Sequence, residues 1–395
     1  MKVCIIAFGV MDSTIPLSKH LSLLSDVEID LYCVLTSGDQ LSVFEFKNKQ
    51  PNGFVDPKSV ENAMGENIHK YLSTLNTKIY IYPDRWFQKI FLKDLYYAYL
   101  FTRYINKKKY DTIHIIHTAK AFWFFLYFFL NRKIVQTLHE VTSHEEKTST
   151  VKGWILKLLI KNSNPVIVQS DISKERFIKF RKSLSSKIPN NENPKKIRFG
   201  LYETYPLFAK KLEKSNTSKI NILNFGRFEP YKGIHFLIDA VKILQDKYPI
   251  HLIIAGSGTP YFDLKGIRSY EFINKFLSNE EIVKLIQESE MVVLPYLSAS
   301  QSGIPMTVFP FKKPVIASNL PGFREVIENG KTGLLVDNLN GTSLASSIET
   351  LLLNSELNQN IINNIEKKYC EGEFSWPFIA QETFNFYQKH QKNAN

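Results

Sequence analysis

The sequence predicts an α/β protein made of two doubly wound parallel sheets, and three observations carry that prediction. Short apolar runs recur with amphipathic helical patterns between them, the arrangement of βαβ units whose parallel strands are covered on both faces. The alternation halts near the middle of the chain in polar, basic stretches rich in Pro and Asn, and then begins again. The length of 395 residues, 44% of them apolar and 13% aromatic, suits two or three domains at roughly 150 residues each. That composition excludes collagen-like, coiled-coil, mini-protein and disordered classes.

In chain order, strands are predicted at 3–8, 29–35, 79–82, 112–116, 133–138 and 165–169. Residues 121–130 (AFWFFLYFFL) are apolar for about half the length of a bilayer span and read as a buried helix. Segments 181–198 (RKSLSSKIPNNENPKKIR) and 210–219 (KKLEKSNTSK) are solvated, and the second marks the domain junction. Further strands are predicted at 220–225, 250–255, 270–273, 291–294, 314–317 and 334–336. Ser278 followed by Glu281 makes a capping box that opens a helix running to Ser289. The expected organisation is an N-terminal domain 1–205, a linker 206–219, a C-terminal domain 220–374 and a final helix 375–395. Two such sheets in tandem place a ligand cleft between the C-terminal edges of their strands.

Charge and cysteines bound the compartment and the partners. Cys4, Cys33 and Cys370 lack metal-ligand or redox-motif spacing, which fits a reduced cytosol. The run 3–8 behind Met1 and Lys2 is too short for a signal peptide and meets Asp12 without a cleavage pattern. The net charge is +12, and it is uneven. Up to Tyr205 there are 30 basic and 19 acidic residues, leaving 20 and 19 beyond it, so the halves carry +11 and +1.

Two segments of the second half could carry chemistry. In 221–240 (NILNFGRFEPYKGIHFLIDA) a strand ends at Gly226, Arg227 and Lys232 lie on the turn, and a helix begins after Gly233. Two cations beside a helix N-terminus suit a diphosphate; the alternative is ordinary solvated loop charge. In 294–317 (LPYLSASQSGIPMTVFPFKKPVIA) a strand runs into a Ser-rich loop and then a helix with Pro305 in its first turn. The backbone N–H groups of Ser302, Gly303 and Ile304 can face an anion there, against the alternative of a plain turn with a Ser cap. Between them, 251–258 (HLIIAGSG) is a strand ending in a glycine turn without the third glycine of a dinucleotide fingerprint.

These pieces carry a resemblance. They are Gly226-Arg227 with Lys232-Gly233, Ala255-Gly256-Ser257-Gly258, Leu294-Pro295, Pro314-Val315-Ile316-Ala317, Leu320-Pro321-Gly322 with Glu325, and Asn329-Gly330-Lys331-Thr332-Gly333-Leu334-Leu335-Val336. Phe374-Ser375-Trp376 with Ile379-Ala380 completes the set. The second half resembles the nucleotide-binding domain of family 4 glycosyltransferases, retaining enzymes of the GT-B fold, in which two Rossmann-like doubly wound domains face each other across a cleft. The likeness is specific over 220–387 and weaker before it.

The resemblance implies that Arg227 and Lys232 bind the donor diphosphate and act in catalysis, with Ser302, Gly303 and Ile304 on the same group. As the sugar gains oxocarbenium character the leaving diphosphate gains charge, so cations placed there favour the transition state. It implies a metal-independent reaction without cofactor, and no Asp-x-Asp motif is present. It further implies a nucleotide and sugar pocket of Gly256, Ser257, Gly258, Phe276, Ser300, Gln301 and Thr307. The family's two glutamates are replaced by Ala299 and Thr307, eight positions apart, in a Ser-Gln-Ser-Gly variant of the loop. In the first half, His139 takes the position of the family's cleft histidine, with Gly9, His117 and Glu140 as further candidates. His114 and His144 are more simply structural. The usual Gly-Gly turn is reduced to Gly9 with Asp12-Ser13-Thr14.

The basic half mixes cations with apolar residues at Lys107-Lys108-Lys109, Arg132-Lys133, 152–161 (KGWILKLLIK) and 174–181 (KERFIKFR). That is the pattern of helices on an anionic membrane surface, the alternative being solvated helix faces. The expected function is a retaining hexosyltransferase moving sugar from a nucleotide diphosphate donor to a glycan or lipid-linked acceptor in bacterial-type lipopolysaccharide or capsule synthesis. It would be cytoplasmic and peripheral on the inner membrane face. Absence of a nucleic-acid module argues against a nucleic-acid partner. The alternative function is a non-catalytic nucleotide-sugar-binding or scaffold protein on the GT-B fold.

Overall fold

The computed structural model describes residues 1–36, 43–44, 46, 50–82, 91–116, 126, 130, 134–138, 165–184, 193–210, 219–299 and 302–392. The chain divides into two units, Met1–Gly200 with Trp376–Asn395, and Leu201–Ser375.

The first unit is built on strands β1 (Lys2–Ala7), β2 (Glu28–Thr36), β3 (Gly53–Phe54), β4 (Asn76–Tyr82), β5 (Thr112–Ile116), β6 (Ile134–Leu138), β7 (Val166–Val168) and β8 (Lys195–Lys196). Their order is β3-β4-β2-β1-β5-β6-β7-β8. All neighbours are parallel except β3, which runs antiparallel to β4 with Gly53 opposite Ile81. β5 and β6 are buried at every residue, as strands covered on both faces must be. Helices α1 (Met11–Ser22), α2 (Pro57–Tyr71), α3 (Phe91–Lys107) and α4 (Asp171–Leu184) belong to this unit.

The strands expected at 3–8, 29–35, 112–116 and 165–169 are present within a residue or two. β4 starts earlier than expected, at Asn76, because its first residues are polar and break the apolar run. β3 and β8 have two residues each and no apolar signature. Of the apolar segment 121–130, only Leu126 and Leu130 lie within the described residues, and both are buried.

The second unit is a six-stranded sheet, entirely parallel. It comprises β9 (Ile220–Phe225), β10 (Ile250–Gly256), β11 (Tyr270–Asn274), β12 (Met291–Leu294), β13 (Val315–Ser318) and β14 (Leu334–Val336), in the order β11-β10-β9-β12-β13-β14. Reading outward from β9, this is the 3-2-1-4-5-6 order of a Rossmann-like sheet, and its direction switches between β9 and β12. Helices α5 (Ile234–Leu244), α6 (Asn279–Glu288), α7 (Ile304–Val308), α8 (Pro321–Arg324), α9 (Gly341–Leu353) and α10 (Ser355–Glu366) complete it. The expected capping box opens α6: Glu281 N–H donates to Ser278 Oγ at 3.2 Å and Ser278 N–H to Glu281 Oε2 at 2.9 Å.

The division after Gly200 falls ahead of the linker expected at 206–219. Tyr202 N–H already donates to Met306 O at 3.0 Å, which ties this stretch to the second unit, and 211–218 lie outside the described residues. Helix α11 (Trp376–Lys392) returns to the first unit. Its Trp376, Ile379, Ala380 and Tyr387 are buried there, and it packs on α1. No described helix is long and apolar enough to cross a membrane.

Candidate functional site

The site is built at the switch point of the second sheet, where doubly wound folds present strand ends and helix starts to a ligand. β9 ends at Phe225, and the chain turns through Gly226, whose N–H donates to Ala255 O at 2.9 Å. A side chain at Gly256 would set its Cβ 1.8 Å from Gly226 O, so the two strand ends touch through bare backbone. Phe228 N–H then donates to Ser257 O at 2.8 Å, which joins the Gly226 turn to the Gly256-Ser257-Gly258 turn. Lys275 N–H donates to Gly256 O at 2.6 Å, placing Phe276, 63% exposed, on the turn beside these glycines.

A single 3-10 turn, Pro230–Lys232, follows, and Gly233 (φ +62°) passes the chain into α5. A Cβ on Gly233 would lie 1.9 Å from Pro295 O, so this glycine lets the start of α5 press against the end of β12. The turn aims Lys232 back at Gly226: Nζ lies 3.6 Å from where a Cβ on Gly226 would be. Lys232 is half-buried, donates to the Tyr296 hydroxyl and sits 4.1 Å from the Tyr296 ring centroid. No ion pair among the described residues includes it. Burial first, and then the charge of Arg227, push its pKa down to about 8, with Glu229 pulling weakly the other way. Arg227 itself is exposed, its Nη1 3.2 Å from Glu229 Oε1.

From the other side come the residues after β12. Tyr296 is buried and its hydroxyl also shares a hydrogen bond with Ser302; burial holds that phenol well above its ordinary pKa. Gly303 precedes α7, and a Cβ there would meet the Tyr202 hydroxyl at 2.5 Å. Ile304 Cδ1 lies 3.7 Å from the would-be Cβ of Gly226, so Ile304 and Lys232 flank that glycine. Thr307 is buried and its hydroxyl donates back to Gly303 O at 3.4 Å. Ala299 O accepts from Gly322 N at 3.2 Å, which ties the loop to the start of α8. Ser300 and Gln301 lie outside the described residues.

The structure therefore brings together Gly226, Lys232, Gly256, Ser257, Gly258, Ser302, Gly303 and Ile304, leaves Arg227 exposed at the rim, and turns Thr307 inward. Sequence reasoning missed Tyr296, Tyr202 and Tyr261, the last accepting the first N–H of α5, from Ile234, at 3.1 Å. Only Tyr296 had a signal, its place directly after Leu294-Pro295.

In the first unit Gly9 (φ +74°) follows β1 at the equivalent switch point, beside β5. The Ser13 and Thr14 hydroxyls both donate to Val10 O, at 3.2 and 3.0 Å. His114 is fully buried, with Nδ1 2.6 Å from the Tyr387 hydroxyl and Nε2 2.7 Å from Thr137 Oγ1. Burial drives its pKa down to about 3, so it is a neutral structural histidine that holds α11. His117, His139, Glu140 and His144 lie outside the described residues.

Residues 208–368, within the second unit, match the family model described as glycosyl transferases group 1. Among curated proteins the chain is 29% identical over 173 residues to the uncharacterized glycosyltransferase MJ1607 of Methanocaldococcus jannaschii, covering 42% of this chain and 44% of that protein. It is 26% identical over 207 residues to the capsular polysaccharide biosynthesis glycosyltransferase CapM of Staphylococcus aureus, covering 49% of this chain and 53% of that one. The matched stretch thus spans about half the length of these relatives. Among solved structures, Anabaena Alr3699/HepE in complex with UDP and glucose superposes with a TM-score of 0.65 at 17% identity, covering 98% of this chain and all of that one. The fold is GT-B, with two Rossmann-like units.

Proposed function

We propose that the chain is a retaining, metal-independent glycosyltransferase of family 4 type that uses a nucleotide diphosphate sugar as donor, and that Lys232 and Arg227 hold the donor diphosphate. The observation that carries this reading is the Lys232 ammonium, drawn half inside the protein beside Gly226 with a tyrosine hydroxyl as its hydrogen-bond partner and, among the described residues, no ion pair. A lysine kept short of counter-charge at a Rossmann switch point is set to receive an anion. The backbone N–H groups of Ser302, Gly303 and Ile304 add donors from the far side, and Arg227 can leave its exposed pairing with Glu229 for the diphosphate at little cost.

When the sugar-to-phosphate bond breaks, charge builds on the leaving diphosphate, and Lys232 stabilises that state more than the intact donor. The turn of Gly256, Ser257 and Gly258 with Phe276 takes the nucleotide. The first unit takes the acceptor, a glycan or lipid-linked glycan, with His139 as its catalytic candidate and Gly9, His117 and Glu140 as further candidates. The CapM likeness supports a place in surface polysaccharide synthesis, capsule or lipopolysaccharide, at an anionic cytoplasmic membrane face. The test is turnover of a donor panel by Lys232→Ala and Arg227→Ala; unchanged rates in both overturn the diphosphate assignment.

One observation favours a second reading, a nucleotide-sugar-binding protein without transfer activity. The Ala299 side chain is a methyl group, its carbonyl taking the Gly322 N–H of α8, and the Thr307 hydroxyl serves its own helix, so neither stands in for the missing carboxylates. Donor that binds across the panel and is never consumed, by hydrolysis or by transfer, selects that reading.

A further inference from the structure

Helix α3 has two apolar faces, where a helix lying on a sheet needs one. Its inner face is conventional: Ala98, Phe101, Thr102 and Ile105 are buried, three of them in the main core cluster of the unit. Its outer face carries Tyr96, Tyr99 and Leu100 at 57%, 46% and 37% exposure. Three of the six large apolar side chains exposed among the described residues of the first unit thus share two adjacent turns, which separates them from the scattered surface apolar groups of any protein.

The spacing continues the stripe into charge. Tyr96, Leu100, Arg103 and Lys107 follow one another by four, three and four residues, so they lie on one face. Lys108 and Lys109 come next in the turn, and all four cations are exposed. Between Leu95 and Tyr110 there is no carboxylate. Aromatic rings with a polar tip beside a basic cluster match the boundary between headgroups and acyl chains. A second copy of the chain fits this face poorly, because a two-fold contact would bring the same four cations together with no acid from 95–110 to answer them.

We propose that the outer face of α3 docks on an anionic lipid surface, with Tyr96, Tyr99 and Leu100 in the interfacial layer and Arg103, Lys107, Lys108 and Lys109 on the lipid phosphates. This deepens the membrane part of the function proposed above and does not depend on the transfer chemistry.

The test is cosedimentation of the full chain with phosphatidylcholine vesicles, with or without about one-third phosphatidylglycerol. The parent chain is expected to partition onto the anionic vesicles more than about tenfold above the neutral ones, and to come off at high salt. Tyr96→Ser/Tyr99→Ser/Leu100→Ser is expected to lose about tenfold or more. Lys107→Gln/Lys108→Gln is expected to lose about fivefold per charge removed. All five positions are exposed; melting curves report whether each variant folds, and Leu100→Gln alone serves should the triple variant melt early. Donor turnover holds at the parent rate in every variant, which keeps failure here distinct from failure of the diphosphate assignment. Partition that is equal for parent and apolar-stripe variants overturns the proposal, as does a parent dimer that the triple substitution dissociates with no change in vesicle binding.

Discussion

The two sheets share a plan and part ways at the switch point. In the second, β9 has β10 and β11 on one side and β12 to β14 on the other; in the first, β1 has β2, β4 and β3 on one side and β5 to β8 on the other. At the end of β9 the chain offers three glycines in backbone contact with neighbouring segments and a half-buried lysine aimed at the first of them. At the end of β1 it offers one glycine in open space and two hydroxyls already spent on Val10 O, and in the neighbouring β5 a neutral histidine is sealed beneath α11. Among the described residues, one topology has produced an edge with a half-buried lysine outside any ion pair in the second unit and a self-satisfied edge in the first. The chemistry therefore lives in side chains and close approaches placed on the fold, not in the fold itself.

The sharpest way to break this comparison is to add a methyl group. Gly256→Ala and Gly233→Ala drive a Cβ to within 2 Å of a carbonyl oxygen, so each is expected to cost more than about 4 kcal/mol and to collapse the second unit. Gly9→Ala meets nothing within 4 Å and bears only the left-handed backbone, about 1–2 kcal/mol. Urea melts of the three variants decide it, and equal losses at Gly9 and Gly256 would erase the contrast.

Next in size is the removal of the half-buried cation. Lys232→Ala is expected to lower turnover by about 100- to 1000-fold. Arg227→Ala, which removes an exposed side chain, is expected to lose about tenfold, as for a single charged contact at a wet rim. Steady-state kinetics with the donor that turns over fastest orders the two, and a larger loss at Arg227 would move the centre of the site outward.

The two perturbed bases make opposite predictions for pH. Diphosphate binds the protonated form of Lys232, so donor affinity is expected to fall about tenfold per unit once pH passes the free-state pKa of about 8, with proton uptake on binding. Calorimetry in two buffers of different ionisation heat measures that uptake. His114 has a folded pKa of about 3, below its unfolded value, so the unfolded chain binds the extra proton between these two pH values. Stability of the first unit is therefore full above the unfolded pKa and declines as pH drops through that window, by at most about 1.4 kcal/mol per unit. Urea melts from neutral to mildly acid pH follow it, and His114→Gln, which cannot titrate, is expected to lose that contribution to the slope.

The smallest effect has the opposite sign from the rest. Because its pKa is lowered on folding, Lys232 is held charged at neutral pH against its surroundings, and Lys232→Met is expected to stabilise the ligand-free second unit by about 1 kcal/mol while abolishing turnover. A melting midpoint that falls instead would mean that Lys232 is a structural lysine.

Apolar runs made most strands legible because each parallel strand is buried on both faces, and glycines with charges at strand ends made the second switch point legible. What stayed hidden came from distance along the chain. Tyr296 meets Lys232 across 64 residues and Tyr387 meets His114 across 273, and no local pattern encodes either meeting. β3 and β8 are two-residue edge strands defined by their neighbours' hydrogen bonds rather than by their own side chains. His114 showed as a histidine at a strand, but its neutrality follows from full burial, which α11 helps to complete.

The return of α11 to the first unit also sets an order of assembly during translation. Leu201–Ser375 is an unbroken stretch and can close its own sheet as soon as it clears the ribosome. The earlier-made Met1–Gly200 must wait, with the ring of His114 lacking its tyrosine, until Trp376–Lys392 follows. The half of the protein that is synthesised first is thus the half that finishes last, and a released chain ending at Ser375 would carry a completed second unit beside an unfinished first one.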